Sequence, residues 1–244
     1  MVSYGKKMIP QIIHQTYKTK ELPLRLKNYQ EKLLKLHPGW KYFLWDDEDN
    51  SRLLQSYYPS LDGCYKNLPL KIMQVDFIRY VYLFHYGGLY LDLDYELLKP
   101  FDLLDYSLVL PKESDSQINF RLGNALLASV ARHPFWEKIL EEINHSCLDL
   151  PVFLEEDEVI DLTGPGLVTK VYLKYFNNDP LIFLPARSFF NPPRPRNRQE
   201  YIKLVEKNQS YGIHHCEGSW RALTKLARLR RKFKKIFFKL TTKR

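Results

Sequence analysis

Residues 86–100, YGGLYLDLDYELLKP, place two aspartates one residue apart in a segment that is otherwise rich in Leu and Tyr. Such residues favour a buried strand, where aspartate is disfavoured and costly to bury without a partner. Because residues i and i+2 of a strand face the same side, we predict a strand over 89–95 that projects Asp92 and Asp94 together. Two convergent carboxylates suit a hard divalent cation, Mg²⁺ or Mn²⁺. The alternative is a strand end whose aspartates meet solvent or an arginine.

The segment before this strand predicts a helix over about 69–86, which ends where Gly87-Gly88 supplies a left-handed stop. Asp76 and Arg79 are three residues apart on that helix and therefore share a face. The pair could hydrogen-bond a sugar hydroxyl and a phosphate or second hydroxyl. The alternative is an ordinary surface ion pair.

The remaining sequence alternates short apolar strands with amphipathic helices, a pattern typical of an α/β fold with a mostly parallel central sheet. A chain of 244 residues with 45% hydrophobic residues can build one such domain. Further strands are predicted at QIIHQTY, KYFLW, 107–111, NALLAS, LIFLPA and YGIHH. Further helices are predicted at 24–36, at about 48–57, after His133-Pro134 and from TGPG to about 176. WDDED at 45–49 is interpreted as a strand end and helix N-terminus, and 155–161 as an acidic loop.

The formal net charge of +9 is concentrated at the end of the chain. Residues 221–244 contain eleven of the 37 Lys and Arg and no acidic residue, which leaves 26 basic against 28 acidic residues in 1–220. Leu and Phe recur there at three- and four-residue spacing, so we predict a basic amphipathic helix that lies on an anionic membrane surface. The alternatives are a helix packed on the domain and RNA binding, for which the rest of the chain has no recognised module.

Three cysteines without CxxC spacing speak against a disulfide framework or structural zinc, and favour a reducing compartment. The N-terminus has no apolar run typical of a signal peptide, and no stretch approaches about 20 apolar residues. We therefore expect a cytoplasmic protein, peripheral on the inner face of the membrane.

Four segments together resemble the DxD-containing sugar transferases of glycosyltransferase family 32. They are IPQIIHQTY, VDFIRYVYLFHYGGLYLDLDYELLKPFD, TGPG and YGIHHCEGSW, and they span roughly residues 8–220. The resemblance implies a GT-A fold over 1–220, a UDP- or GDP-sugar donor, a divalent cation and retention of anomeric configuration. It also implies a glycan or glycolipid acceptor. Because no nucleic-acid-binding module is recognised, we expect no nucleic-acid partner.

The resemblance assigns roles by position. Asp92 and Asp94 match the metal and diphosphate motif, and Asp76 and Arg79 match the pair that holds the donor sugar. Tyr17 stands where related enzymes carry a Trp that stacks on the base; Tyr can stack too, with less area.

A late histidine completes the metal site in similar enzymes, and neighbouring strand residues face opposite sides, so either His214 or His215 would be the ligand. The spacing from Tyr211 favours His214, while the plain alternative is one core and one surface histidine. The resemblance places Asn124, Gly164 and Pro165 near the donor sugar and acceptor. It also places Ser219 and Trp220 in a closing loop over the diphosphate, while the plain alternative for Trp220 is a packing anchor.

These residues predict a metal-dependent, retaining glycosyltransferase. The metal would act as a Lewis acid on the leaving diphosphate, and no nucleophilic carboxylate can be assigned. The alternative is a non-catalytic membrane- or nucleic-acid-binding protein on a degenerate transferase fold.

Overall fold

The computed structural model describes residues 8–114, 116, 118–147, 150, 154–190, 192, 197–208 and 210–216. In chain order its elements are β1 (Ile12–Thr16), α1 (Leu24–Leu36), β2 (Lys41–Trp45), α2 (Asp47–Tyr57), α3 (Pro59–Asn67), α4 (Lys71–Tyr86), β3 (Gly88–Leu91), β4 (Tyr95–Leu97), β5 (Leu108–Val109), β6 (Lys112–Ser114), β7 (Arg121–Leu122), β8 (Leu126–Ser129), α5 (Pro134–Ser146), α6 (Glu156–Leu162), α7 (Pro165–Tyr175), β9 (Ile182–Phe183), α8 (Arg187–Phe190), α9 (Arg198–Asn208) and β10 (Gly212–His214).

A six-stranded sheet has the order β2-β1-β3-β8-β5-β9. β1 pairs in parallel with β2 and β3, and β5 pairs in parallel with β9. β8 runs antiparallel to both of its neighbours, β3 and β5. Helices α1 and α4 supply crossover connections of the kind that parallel pairs require. The predicted α/β class with a mostly parallel central sheet is therefore confirmed.

Apolar side chains pack on both faces of this sheet. The alternation of β3 sends Tyr90 into one cluster, with residues of α4, α5 and α7, and sends Leu89 and Leu91 into another, with Leu33 of α1. All three β3 residues are at most 1% exposed. The strand that leads to the acidic motif is therefore fixed from both sides.

The stop predicted after α4 is confirmed. Gly87 and Gly88 have φ of 65° and 97°. A Cβ at Gly87 would lie 2.5 Å from the Ala131 nitrogen, and one at Gly88 would lie 2.5 Å from the Ile12 oxygen. Any larger residue would clash with backbone, so two glycines allow α4 to turn at once into β3.

Two smaller sheets flank the large one. β4 pairs antiparallel with β10, and β6 pairs antiparallel with β7. The β6–β7 hairpin, α3, α8 and α9 were not among the predicted elements. The acidic loop predicted at 155–161 is wrong, because most of it is α6. The Glu155 N–H donates to the Glu158 carboxylate at 2.6 Å, so the acidic residues serve the helix N-terminus.

The structure joins Cys64 of α3 to Cys147 at the end of α5 in a disulfide, with the Cα atoms 5.7 Å apart, and leaves Cys216 free and exposed. The cysteine count and spacing were interpreted as speaking against disulfides, and this pair shows that interpretation to be wrong. The two are 83 residues apart in sequence, so their spacing gives no sign of the contact that helix packing creates. The cysteine count consequently no longer supports the expectation of a reducing compartment.

The predicted tail at 221–244 lies outside the described residues. Within the described ranges, none of the helices combines the length and the apolar character that crossing a membrane requires.

Candidate functional site

The two aspartates of the DxD motif lie in the turn that joins β3 to β4. β3 ends at Leu91 and β4 begins at Tyr95, so the continuous strand predicted over 89–95 is wrong. The Asp92 N–H donates to Ala125 O at 2.8 Å, and the Tyr95 N–H donates to Asp92 O at 3.0 Å, which closes the turn. Aspartate favours turns over strands, which explains the early end of β3. The turn, rather than a strand pleat, makes the two carboxylates converge.

His214 of β10 faces these carboxylates across the β4–β10 ladder. Its Nε2 lies 3.3 Å from Asp94 Oδ1 and 3.8 Å from Asp92 Oδ2. One ligand atom from each of the three residues lies within 4.8 Å of the others. Two carboxylates and an imidazole are a donor set that Mn²⁺ accepts.

The electrostatics of this cluster favour an added positive charge. Burial raises the pKa of Asp92, and the Arg79 guanidinium opposes that rise. Burial acts to raise the pKa of Asp94 too, but the hydrogen bond with His214 lowers it overall. Burial acts to lower the pKa of His214, but the hydrogen bond to Asp94 outweighs it and raises that pKa to about 10. The carboxylates thus stabilise a cation between them, which fits the divalent cation that the motif implies.

His215 points away from the cluster. Its Nε2 lies 3.1 Å from Glu96 Oε2, and its ring stacks on Tyr29 with the centroids 4.8 Å apart. Lys32 of α1 donates to the other Glu96 oxygen at 2.6 Å. The structure therefore places one of the two candidate histidines beside the aspartates and the other in an ion-pair cluster with α1.

Arg79 braces Asp92 from the protein interior. Its side chain is 2% exposed, and its Nη2 lies 3.1 Å from Asp76 Oδ1 and 3.3 Å from Asp92 Oδ1. Tyr90 O–H donates to the same Asp92 oxygen at 2.8 Å. Asp92 Oδ1 is thus occupied from behind, while Oδ2 is the oxygen nearer His214. The surface ion pair that the sequence left open for Asp76 and Arg79 is excluded, because both side chains are buried.

Asp76 connects this network to two distant segments. Its Oδ1 accepts from Asn124 Nδ2 at 2.9 Å, and its Oδ2 accepts from Thr163 Oγ1 at 3.1 Å. A Cβ on Gly164 would lie 3.6 Å from Asp76 Oδ2. Burial raises the pKa of Asp76 to about 7, although Arg79 opposes the rise. Asp76, Arg79, Asn124 and Gly164 therefore meet at one place, and their role towards a donor sugar stays a prediction.

A cavity of about 350 Å³ joins these groups to Tyr17. Tyr17 follows β1, and its N–H donates to Trp45 O at 3.0 Å. The predicted site residues that line the cavity are Tyr17, Asp76, Arg79, Asp92, Asp94, Asn124, Gly164, Pro165 and His214. Its volume is within the range of small-molecule sites. Ser219 and Trp220 lie outside the described residues.

Residues 23–113 match the family model of the glycosyltransferase sugar-binding region containing a DXD motif, which includes Asp92 and Asp94. Over this region the chain is similar to DXD-containing glycosyltransferases.

Two proteins that the chain is similar to are fungal enzymes. The chain is 37% identical over 169 residues to a mannosyl phosphorylinositol ceramide synthase of Saccharomyces cerevisiae, covering 69% of this chain and 43% of the relative. It is 33% identical over 222 residues to inositol phosphoceramide mannosyltransferase 2 of Schizosaccharomyces pombe, covering 88% of this chain and 59% of the relative. The chain thus spans about half the length of these curated relatives.

The PaToxG glycosyltransferase is a solved structure with the same fold as this chain. The TM-score is 0.59 at 16% identity, over 84% of this chain and 90% of that one. At this identity the likeness establishes the GT-A fold, which confirms the predicted fold class, and nothing about substrates.

Three polar side chains of the site were not predicted from the sequence. Tyr90 supports Asp92, Thr163 supports Asp76, and Tyr80 O–H donates to the Thr163 carbonyl at 2.7 Å. Thr163 is the first residue of the TGPG motif, and Tyr90 precedes Asp92 by two residues. Their positions in these motifs were the available signal, but a tyrosine or threonine among apolar residues is also typical of a buried core residue.

Proposed function

We propose that this chain transfers a sugar from a nucleoside-diphosphate donor to a hydroxyl of a glycan or lipid-linked acceptor, with a divalent cation and with retention of anomeric configuration. The observation that carries the proposal is the convergence of Asp92, Asp94 and His214 on a cavity that also contains Asp76 and Arg79. A degenerate transferase fold would not need to keep both clusters complete.

The donor is proposed to lie across the cavity with its base against Tyr17 and its sugar beside Asp76 and Asn124. Tyr17 offers an aromatic face near the end of β1. Asp76 and Asn124 offer a carboxylate and an amide, which suit sugar hydroxyls. Asp92, Asp94 and His214 would hold Mn²⁺ or Mg²⁺ between these two ends. When bound, the cation would neutralise the negative charge that develops on the leaving diphosphate.

The reaction needs little proton chemistry from the protein. The bond from the anomeric carbon to the diphosphate oxygen breaks, and its electron pair leaves with the nucleoside diphosphate. The acceptor oxygen bonds to the anomeric carbon on the same face, and its proton passes to the departing phosphate. The contribution of Asp76 and Arg79 is to orient the sugar for this same-face displacement.

The relatives suggest a sugar and an acceptor. Both are named for mannose transfer involving inositol phosphoceramide. We extend this to a proposal that the chain transfers mannose to an inositol ring that is attached to lipid through a phosphodiester.

The C-terminal segment 221–244 is proposed to bring this domain to an anionic membrane surface, where a lipid-linked acceptor would lie. Each Lys or Arg near such a surface contributes about 1 kcal/mol, and apolar burial adds a part that salt does not screen. Deleting 222–244 should release the protein from anionic vesicles. Equal vesicle binding by the truncated protein would refute the anchor.

Nucleotide release tests the main proposal. The purified chain is incubated with each of a panel of UDP- and GDP-sugars, with Mn²⁺ or with EDTA, and the anomer of the product is assigned by NMR. We expect metal-dependent release from one donor, GDP-mannose first, and an α-linked product from an α-linked donor. Absence of release from every donor in the presence of Mn²⁺ would favour the non-catalytic alternative, and an inverted product would contradict retention.

A further inference from the structure

The cavity contains one basic side chain that the donor site does not use. The basic residues lining it are Arg79, Arg121 and His214. Arg79 is buried between Asp76 and Asp92, and His214 faces Asp92 and Asp94. Arg121 is exposed and forms no ion pair with any residue that the structure describes. Of these three cations, it is the one available to an anion arriving from solvent.

The β6–β7 hairpin holds Arg121 close to the reacting end of the cavity. The N–H of the next residue, Leu122, donates to Thr169 Oγ1 of α7 at 2.9 Å, and the Gly123 N–H donates to Pro111 O at 2.7 Å. Asn124, three residues after Arg121, donates to Asp76. The base of the hairpin is thus bonded on both sides, so the backbone at Arg121 has a fixed position relative to the proposed donor-sugar site.

We propose that Arg121 binds the phosphate of the acceptor and so selects phosphate-bearing acceptors. The proposal rests on the proposed function, in which the donor diphosphate is held at Asp92, Asp94 and His214. A second anion at the reaction centre then belongs to the acceptor. The planar guanidinium can bind two phosphate oxygens at once, which fixes the orientation of the attached hydroxyl-bearing ring.

The tip of the same hairpin favours a phosphate that is attached to lipid. Ile118 is 93% exposed, the largest exposed fraction among the exposed large apolar residues in the described ranges. An exposed isoleucine on the hairpin that carries a phosphate-binding arginine suits a bilayer surface, where the headgroup phosphate and the acyl boundary lie side by side. The hairpin would then contact both parts of one acceptor molecule.

The test compares phosphorylated and unphosphorylated soluble acceptors, glycerophosphoinositol and myo-inositol. The quantity compared is the ratio of the KM for glycerophosphoinositol to the KM for myo-inositol. This ratio should be about 10- to 100-fold higher in Arg121→Gln than in wild type. Arg121→Lys should restore part of the difference, because lysine keeps the charge without the fork. Arg198→Gln is the matched control, since Arg198 is an exposed arginine of α9 that does not line the cavity, and it should behave as wild type.

The outcomes separate this inference from the proposed function. Equal KM ratios in wild type and Arg121→Gln would overturn the inference, and a raised KM for the sugar nucleotide instead would assign Arg121 to the donor. If the wild type releases no nucleotide at all, the proposed function fails, and calorimetric binding of glycerophosphoinositol to wild type and Arg121→Gln still tests Arg121. Equal affinities there would overturn the inference.

The lipid part has its own test. Ile118→Ser should reduce transfer to phosphatidylinositol in vesicles while transfer to glycerophosphoinositol stays as in wild type. Equal losses on both acceptors would contradict a membrane-facing tip.

Discussion

Two acidic segments of this chain have similar exposure and opposite surroundings. The side chains of Asp46 and Asp49 are 17% and 20% exposed, and those of Asp92 and Asp94 are 22% and 17% exposed. Asp46 caps α2 by accepting from the Asp49 N–H at 2.8 Å. The interpretation of WDDED as a strand end and helix N-terminus is therefore confirmed.

The charges around each segment explain why one is structural and the other is the candidate site. Lys20 contacts Asp49, and Arg52 Nη2 lies 2.5 Å from Asp49 Oδ1. Burial acts to raise the pKa of Asp49, but the hydrogen bonds from Lys20 and Arg52 lower it overall. Asp92 has its cation behind it, at Arg79, and burial raises its pKa. Acidic density alone is thus uninformative. What matters is whether lysine and arginine side chains already neutralise the carboxylate face that meets solvent.

The largest expected effect comes from removing one carboxylate at each segment. Asp94→Asn is nearly isosteric but binds a hard cation poorly, so nucleotide release should fall roughly 10³-fold or more. Asp92→Asn should be severely impaired too. Asp49→Asn, the matched change at the other segment, should leave release within about twofold of wild type, since it alters a surface ion pair. Comparable losses at Asp94 and Asp49 would remove the distinction between the segments.

Two histidines differ in the same way: His214 lies beside carboxylates that raise its pKa, whereas burial lowers the pKa of His14. The lowered pKa of His14 predicts that stability depends on pH. His14 is fully buried, and no carboxylate in the described part of the chain forms an ion pair with it. Trp45 Nε1 donates to its Nδ1 at 3.1 Å, and its Nε2 lies 3.0 Å from Gly87 O. Burial lowers its pKa to about 4 from an ordinary value of 6.5. The unfolded chain therefore binds more protons between these values, so the free energy of unfolding should fall as pH drops from about 6.5 towards 4. The loss due to His14 should reach about 3 kcal/mol.

Urea unfolding at several pH values checks this contribution. His14→Gln should be less stable than wild type at pH 7, and its stability should vary less with pH over the same interval. A wild-type and variant pair with identical pH slopes would show that His14 does not supply the dependence.

A smaller effect is expected at the far end of the cavity. Tyr17→Ala should raise the donor KM about 10-fold through lost stacking, with a lesser change in kcat, and Tyr17→Trp should bind the donor at least as well. Steady-state kinetics with the accepted sugar nucleotide measures both. A collapse of kcat at unchanged KM would place Tyr17 at the chemistry rather than at the base.

The smallest effect belongs to the structural acidic segment. Asp46→Ala removes the cap of α2 and should cost about 1 kcal/mol of unfolding free energy while nucleotide release at 25 °C stays unchanged. Denaturant unfolding and the release assay give the two numbers. A large loss of release without a loss of stability would assign function to WDDED.

Sequence alone predicted the regular parts of the fold well. The predicted helix at 24–36 and the predicted strand KYFLW coincide with α1 and β2. Their apolar spacing indicates a helix and a strand, and the turn residues HPGW at 37–40 separate the two. The β6–β7 hairpin was missed because KESDSQINFRL has neither alternation nor a short turn signature. α6 was missed because acidic residues that cap a helix look like a solvated loop.

The candidate site was predicted in its composition but not in its geometry. Asp92 and Asp94 were expected to converge through a strand pleat, whereas a turn orients them. The spacing from Tyr211 favoured His214 over His215, and the pairing of β10 with β4 places His214 beside the aspartates. Tyr90 and Arg79 both contact Asp92 Oδ1. These contacts come from packing between segments whose relative orientation the sequence does not give.

Direct titration of Mn²⁺, followed by electron paramagnetic resonance in the absence of donor, tests the central claim that Asp92, Asp94 and His214 form a cation site. We expect wild type and Asp49→Asn to bind one Mn²⁺ with equal affinity and Asp94→Asn to bind it at least about 10-fold more weakly, since even outer residues of metal sites contribute that much. Equal Mn²⁺ affinity in wild type and Asp94→Asn would contradict the account.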